Sequence, residues 1–436
     1  MMQAPLPNSE IARFGLSALG RVSSVATTTI LVEGLNGRVG DVVKFFGTQT
    51  EYGEIIGIDS GAMQIMPYGP CEGFSQETFV LIVNTELGCL NFAAGHVVDG
   101  LGYEIDLDFS VQANPKRKTA PPITALTRLI PSIADRKPVN SLLRTGIKAV
   151  DVCTPLAKGQ RIALMAPAGV GKSTLMTMML RGVDADRIVL CLVGERGREA
   201  LELIETLKHQ KLLARAYVVV ATSDKPSAER AKAPLLAMQA AESFAKQGLN
   251  VLVLVDSLTR YCRALREIAL SLGEAPTRRG YPSSVFTALP RLLERGGAFT
   301  AGSITLVASV LVEDELMPDP IAEEVQSLSD GHIWLSRAMA ARGHFPAIDI
   351  MKSISRLSNV VQTTAQAKVA TSVRRALANN QQQEILLRMG EYRWGVDAAL
   401  DADLKAVPKI MEFLAQPTGV CESLESAHAK IAKVFA

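Results

Sequence analysis

The sequence predicts an α/β domain built on a mainly parallel sheet, preceded by a small β-barrel and followed by an α-helical domain. Three patterns predict it: closely spaced β-rich runs near the start, strand–helix alternation through the middle, and a tail rich in Ala, Gln, Leu and Arg with no strand signal. At 436 residues the chain has room for two or three domains, and its 48 % of hydrophobic residues exclude disorder as the dominant state.

Taken in order, residues 1–19 form an N-terminal segment and 20–93 the barrel. The runs GRVSSVATTTILVEG, DVVKFF, YGEIIGID, AMQIMPYG and TFVLIVN are short, β-rich and separated by Gly, Asn, Asp and Pro, the spacing of a small barrel. Residues 94–139 read as a connecting segment, Gly-rich at first and then Pro- and Lys/Arg-rich in NPKRKTAPPITAL. Its KRK cluster reads as a solvated linker charge run, with a nucleic-acid or lipid contact as the alternative. Residues 140–362 form the α/β domain, with strands expected at RIALMA (Arg161 to Ala166), RIVLCLV (Arg187 to Val193), AYVVVAT (Ala216 to Thr222), VLVLVD (Val251 to Asp256) and SITLVASVLV (Ser303 to Val312). Residues 363–436 are helical, beginning with AQAKVATSVRRALANNQQQEILLRM.

Composition removes several classes of function. Forty-six basic residues against 44 acidic leave a net charge of +2, without the basic excess of a dedicated nucleic-acid coat. The six cysteines lie far apart with no CxxC or Cys/His cluster, which argues against a zinc site or a disulfide scaffold and suits a reducing cytoplasm. The first 20 residues hold Pro5, Pro7, Glu10 and Arg13 without a long apolar run, so no signal peptide is expected. Runs such as Ile304 to Val312 are too short to span a bilayer, so membrane contact is expected only peripherally, through a partner.

The chemistry centres on APAGVGKST, Ala166, Pro167, Ala168, Gly169, Val170, Gly171, Lys172, Ser173 and Thr174, which follows a β-run and opens a helical one. That context makes it a phosphate-binding loop: glycines let backbone N–H groups turn inward, and the helix N-terminus adds its positive end. Lys172 can reach the β- and γ-phosphates of ATP, and the Ser173 hydroxyl is placed to ligate Mg²⁺. Ala166 replaces the first glycine of the strict pattern, while GxGKS is intact. Asp256, closing the apolar run VLVLVD, is the acid that would hold the magnesium water shell. Hydrolysis also needs a group to orient water. GERGRE begins where RIVLCLV ends, so Glu195 is the candidate general base and Arg196 a neighbour of the γ-phosphate. Two alternatives stay open: Glu195 as a structural partner of an arginine such as Arg198, and Arg260 as either a phosphate ligand or a surface salt bridge.

Together with VLVLVDSLTRY, LGEAPTRRGYPSSVFTALPRLLERGG and DGHIWLSRAMAARGHFPAIDIMKSISR, these motifs resemble the rotary-ATPase family, and within it the protein-export branch of type III secretion and flagellar export. The resemblance runs from about Gly20 to the C-terminus. It implies a RecA-like ATPase domain after the barrel, and a homohexameric motor whose ATP hydrolysis releases chaperones from exported substrates and unfolds them. It also implies central-stalk and stator partners, chaperone–substrate complexes as clients, and a cytoplasmic location peripheral to the inner membrane. Through it Glu195 matches the catalytic carboxylate, Arg196 and Arg260 fall on phosphate-contacting positions, and Arg356 matches the arginine supplied to a neighbouring subunit's nucleotide. PDPIAEEVQSLSDGHIWLSR and GEYRWGVD look more like the secretion type than the flagellar one.

Three rivals remain. A proton-coupled synthase chain would need a distinct non-catalytic partner. A hexameric nucleic-acid motor would need a base-stacking surface on the barrel, where Phe45, Phe46, Tyr52 and Tyr68 are available but no RNP-like cluster occurs, so no direct nucleic-acid partner is expected. A catalytically dead scaffold is opposed by the presence of Lys172, Ser173, Glu195 and Asp256.

Overall fold

Six strands at the start of the computed structural model, which describes residues 19–59, 61–83, 92–105, 131–313 and 319–435, close into an antiparallel barrel. They are β1 (Gly20–Val25), β2 (Ile30–Glu33), β3 (Val42–Phe46), β4 (Tyr52–Asp59), β5 (Ala62–Pro67) and β6 (Phe79–Ile82), in the order β1-β2-β5-β4-β3-β6. Alternation along these runs sends Val22, Ile30, Val32, Val43, Phe45, Ile55, Ile65 and Val80 into one core. Gly20 is required at the closure, because a Cβ there would stand 2.5 Å from Val32 Cγ1. Tyr52, Met66 and Tyr68 face the other way and join the core of the following domain. The buried Tyr68 hydroxyl donates to Glu54 Oε2 at 3.0 Å, and Lys232 of the next domain pairs with the same carboxylate.

The main sheet comprises β7 (Val97–Asp99), β10 (Arg161–Ala166), β11 (Arg187–Val193), β12 (Ala216–Ala221), β13 (Asn250–Asp256), β14 (Gly297–Ala298), β15 (Ser303–Leu311), β16 (Gly331–Leu335) and β17 (Ile348–Ser355). Leu142–Leu143 and Leu156–Ala157, β8 and β9, pair separately. The order is β17-β16-β10-β15-β13-β11-β12-β7, parallel throughout except for β17 against β16 and the short β14 against β15. The five expected strands are present, within a residue at each end. Continuous apolar runs form them because both faces are covered. In β11, Val189, Cys191 and Val193 face one core while Ile188, Leu190 and Leu192 face the other.

Helices α1 (Lys148–Cys153), α2 (Lys172–Gly182) and α3 (Gly197–His209) cover one face of the sheet. Helices α4 (Ser227–Lys246), α5 (Leu258–Ser271), α6 (Ser283–Leu293) and α7 (Pro320–Leu328) cover the other. Three strands escape the periodicity argument. β7 is only three residues long and lies in the passage read as a connecting segment, yet it pairs in parallel with β12 as the sheet's edge. β16 and β17 form an antiparallel pair in which β17 mixes buried and exposed positions irregularly. The NPKRKTAPPITAL stretch lies outside the described residues.

After the short helices α8 (Arg337–Ala341) and α9 (Ser358–Val361), the tail is helical: α10 (Thr364–Met389), α11 (Ala398–Leu414) and α12 (Leu424–Ala432). A capping box of Thr363 and Gln366 starts α10, and Gly390 at φ 74° ends it. Ala370, Val373 and Ala376, all in its first half, are its buried residues. Arg374 ties that half to the sheet domain, donating from Nη2 to the carbonyls of Cys153 at 2.9 Å and Ser353 at 3.0 Å. The far end carries Tyr392 and Trp394, whose rings meet edge to face with centroids 4.8 Å apart.

One buried acid organises the entry to the sheet domain. Asp151 accepts at Oδ1 from Thr145 N (2.9 Å) and Thr145 Oγ1 (2.7 Å) and at Oδ2 from Gly146 N (2.9 Å). Burial outweighs these bonds and pushes its carboxyl up to about 6. A carboxyl that holds its proton more tightly when folded adds stability at low pH and loses it as pH rises through the folded value. Relative to Asp151→Asn, the wild-type chain is therefore expected to lose about 2 kcal/mol of stability between pH 4 and pH 6.5. Denaturant melts of both chains at the two pH values read this out, and a constant difference would contradict it.

Candidate active site

The loop between β10 and α2 is built by backbone conformation. Gly169 (φ 77°) and Gly171 (φ 88°) both adopt left-handed geometry, and Gly171 is the residue from which α2 begins. Ala166 is accommodated because it is still the last residue of β10, paired with Leu311 and fully buried, where no positive φ is needed. Pro167 is buried, while Ala168, Gly169, Ser173 and Thr174 are exposed at the loop surface.

Four elements bring charge to one point at the C-terminal edge of the sheet. From the first position of α2, Lys172 Nζ lies 2.5 Å from Asp256 Oδ1 and 3.6 Å from Glu195 Oε1. Asp256 ends β13 and Glu195 follows β11, and they are only 3 % and 7 % exposed. Ser309, on the strand between β10 and β13, donates its hydroxyl to Asp256 Oδ1 at 2.5 Å. Arg260, in the first turn of α5, brings Nη1 to 2.5 Å from Glu195 Oε1. Gly194 makes room for it, since a Cβ there would come within 2.9 Å of Arg260 Cδ. The result is a neutral set of two cations and two carboxylates, largely removed from water.

Glu195 Oε1 and Arg260 Nη1 meet as a buried ion pair without the alignment of a hydrogen bond, and the Lys172 ammonium stands 3.6 Å from the same carboxylate oxygen. Neither atom makes a directed hydrogen bond among the described residues, so each keeps the capacity to bond a further polar group. A cleft of about 590 Å³ opens from this point between α2 and α3, running from Ser173, Asp256 and Glu195 to Arg181, Gln210 and Thr418. Among the described residues no three His, Cys, Asp or Glu side chains could cage a metal by themselves. A magnesium ion held by one hydroxyl, one acid, phosphate oxygens and water needs no such cage, and the expected pair, Ser173 and Asp256, both line this cleft.

Arg198 pairs with Glu202 at 3.4 Å, so Glu195's arginine is Arg260 and not Arg198. Arg196 is not brought into the cluster: it caps the start of α3, is 80 % exposed, and reaches Glu199 at 3.6 Å. Arg356 is also remote. It follows the end of β17, and because that strand runs antiparallel, it sits beside Asp330 at the level of Arg161, where β10 begins (Arg356 N to Asp330 O, 2.9 Å). Five residues of β10 separate that level from Ala166, about 16 Å of strand. Arg356 is exposed and pairs with no carboxylate among the described residues, while Asp349 accepts instead from the amides of Met351 and Lys352.

Sequence reasoning missed Ser309, a polar residue inside an apolar strand, and Phe345. The Phe345 ring is 45 % exposed and lies 3.6 Å from where a Cβ would stand on Gly171. Nothing in HFPAID marked it as a site residue.

Fold and site together define a P-loop nucleotide-hydrolysing domain. Residues 146–355 match the nucleotide-binding domain of the ATP synthase alpha/beta family, and residues 362–433 match the T3SS EscN ATPase C-terminal domain. The type 3 secretion system ATPase of Xanthomonas euvesicatoria is 42 % identical over 412 residues, covering 93 % of this chain and 92 % of that protein. The flagellum-specific ATP synthase of Rhizobium meliloti is 38 % identical, covering 93 % and 87 %. The assembled ATPase EscN of the enteropathogenic E. coli type III secretion system superposes with a TM-score of 0.87 at 36 % identity, covering 96 % of this chain and all of that one. EscN in complex with its central stalk EscO gives a TM-score of 0.83 at 35 % identity. The chain belongs to the type 3 secretion system ATPase family.

Proposed function

We propose that this chain is the ATPase of a type III protein-secretion apparatus, hydrolysing Mg·ATP as one subunit of a homohexamer. The observation that carries the reading is the convergence of Lys172, Asp256, Glu195 and Arg260 beside a loop of left-handed glycines, in a chain alike over nine-tenths of its length to secretion ATPases. Lys172 and the loop amides neutralise the β- and γ-phosphates, drawing the ammonium off its two carboxylates. Magnesium, when bound, neutralises phosphate charge, and Ser173 and Asp256 are the residues that would hold it. Glu195, freed from Lys172 and held by Arg260, accepts a proton from the water attacking the γ-phosphorus in line, while the bond from that phosphorus to the β–γ bridging oxygen breaks and ADP leaves with the electron pair; Arg260 faces the developing charge. The Phe345 ring, flat, apolar and beside the loop, offers the base a stacking surface. Arg356 points to a neighbour's nucleotide, since its own phosphate loop lies at the other edge of the sheet.

The likeness to an assembled relative and to one bound to its central stalk supports self-association and a stalk partner. Stator proteins and chaperone–substrate complexes are the remaining partners, with hydrolysis used to release chaperones and unfold cargo. Among the described residues no helix is long and apolar enough to cross a membrane. The chain works in the cytoplasm, peripheral to the inner membrane. Flagellar export is the alternative setting, favoured by the R. meliloti relative.

Glu195→Gln tests the reading. The amide keeps the shape of the side chain but not its basicity, so nucleotide affinity should stay within about threefold while turnover falls at least about a hundredfold. A fluorescent-nucleotide titration beside a phosphate-release assay measures both, and cells carrying the variant should accumulate the protein yet fail to export. Equal loss of affinity and rate would make Glu195 structural, and normal turnover would place the base elsewhere.

A further inference from the structure

Two residues flanking the phosphate-loop helix come from distant parts of the chain. Phe345 precedes β17 in the sheet domain, its ring beside Gly171, whereas Thr418, which lines the cleft, lies in the loop between α11 and α12 of the helical domain. One residue joins them, its backbone bonding Phe345 and its side chain anchoring the loop that carries Thr418. Gln416 is 3 % exposed, and its backbone N–H donates to the Phe345 carbonyl at 2.9 Å. Its Nε2 donates to the carbonyls of Gly146 (2.8 Å) and Val420 (2.7 Å), and its Oε1 accepts from Lys148 N at 2.9 Å. Every hydrogen-bonding atom of the amide is thus used, which fixes the orientation of the group and of the loop that carries it.

Two further anchors hold the same loop. Lys148 Nζ donates to the Ala415 carbonyl at 2.8 Å, with its charge over the Phe413 ring 5.0 Å from the centroid. Partial burial lowers the Lys148 ammonium's pKa. Arg181, at the far end of the helix that begins with Lys172, donates from Nη1 to the Thr418 carbonyl at 2.6 Å and from Nε to Gln210 Oε1 at 3.3 Å. The helical-domain loop is therefore pinned both to the entry of the sheet domain and to the end of the phosphate-loop helix.

We propose that Gln416 is a positioning residue for nucleotide recognition: by fixing Phe345 and Thr418 relative to each other, it sets the width of the wall that receives the base. This rests on the ATPase reading above. Its bonds run to Gly146, Lys148, Val420 and Phe345 and none to the charged cluster around Lys172, so its loss loosens binding of the base and leaves phosphoryl chemistry intact. A general loss of fold would weaken everything the cleft binds. Position acting only through the base weakens ATP and spares a ligand that has no base.

The test uses the full chain and two substitutions. Gln416→Ala removes the central amide, and Lys148→Met removes one anchor while keeping an apolar stem against Phe413. For each, the KM for ATP and kcat are measured, with inorganic tripolyphosphate as a competitive inhibitor of hydrolysis. Gln416→Ala should raise KM about tenfold with kcat within about twofold of wild type and the tripolyphosphate Ki unchanged, the scale expected when buried hydrogen bonds are lost. Lys148→Met should shift KM the same way by about threefold, and it decides alone if a thermal melt shows that Gln416→Ala does not fold. An unchanged KM, a fall in kcat without a rise in KM, or a matching rise in the tripolyphosphate Ki would overturn the proposal. Absence of ATP hydrolysis by the wild-type chain at any concentration would instead overturn the ATPase reading itself.

Discussion

Lys172→Ala is expected to lower steady-state phosphate release at least a hundredfold without unfolding the chain. The ammonium is the one side-chain cation on the phosphate loop itself, and groups of this kind, aimed at the charge that develops on a transferring phosphoryl, are worth about 10² to 10³ in rate. Its removal is tolerable structurally because each carboxylate keeps another partner: Asp256 still accepts from Ser309, and Glu195 still faces Arg260. A circular-dichroism melt should accordingly move by only a few degrees. Retention of more than about a tenth of wild-type turnover would remove Lys172 from the chemistry and with it the phosphate-loop assignment.

Arg356→Ala should also cost two or more orders of magnitude in turnover, for a different reason. Its backbone lies about 16 Å down the sheet from the end of β10, so the proposed role is completion of a site that another subunit brings to it. An arginine completing a phosphoryl-transfer site in trans is worth roughly 10³ to 10⁵. The variant should assemble and bind ATP but hydrolyse poorly. Mixed with Lys172→Ala subunits it should recover activity, because its intact phosphate loop can then sit beside a neighbour that retains Arg356. Full activity of Arg356→Ala alone, or a mixture as inactive as its parents in rings shown to be mixed, would refute the trans role.

What the sequence disclosed and what it withheld follow from the range of the interactions involved. The barrel, the central strands and the phosphate loop rest on local patterns: alternation, buried apolar runs, and glycines at fixed offsets from Lys172. Asp256 and Glu195 were legible because each ends or follows a strand and so falls on the same edge of the sheet. Ser309 was not, since a serine within SITLVASVLV gives no sign that it faces an acid 53 residues away. Gln416 was hidden for the same reason, its amide bridging Gly146 and Lys148 across some 270 residues of chain. Arg196 stands exposed at the N-cap of α3, and motif order alone carries no information on side-chain direction. β7 failed on length, three residues being too few to show any period.

The long helix α10 behaves mechanically as a beam. Twenty-six residues span about 39 Å, and the last 13, beyond Ala376, extend some 20 Å with no fully buried side chain. Just past its end the chain is tied to α11: Asp401 accepts from the Tyr392 hydroxyl at 2.8 Å and from Gly395 N at 2.6 Å. A stiff arm clamped at one end multiplies small rotations, so a tilt of about 10° at its root sweeps the tip through about 7 Å over that length. Arg374 places the clamp on β17 and α1, elements of the nucleotide-binding domain. Sub-ångström adjustments there would therefore reach the distal end as displacements the size of a side chain, carried by leverage with no change in the helix itself.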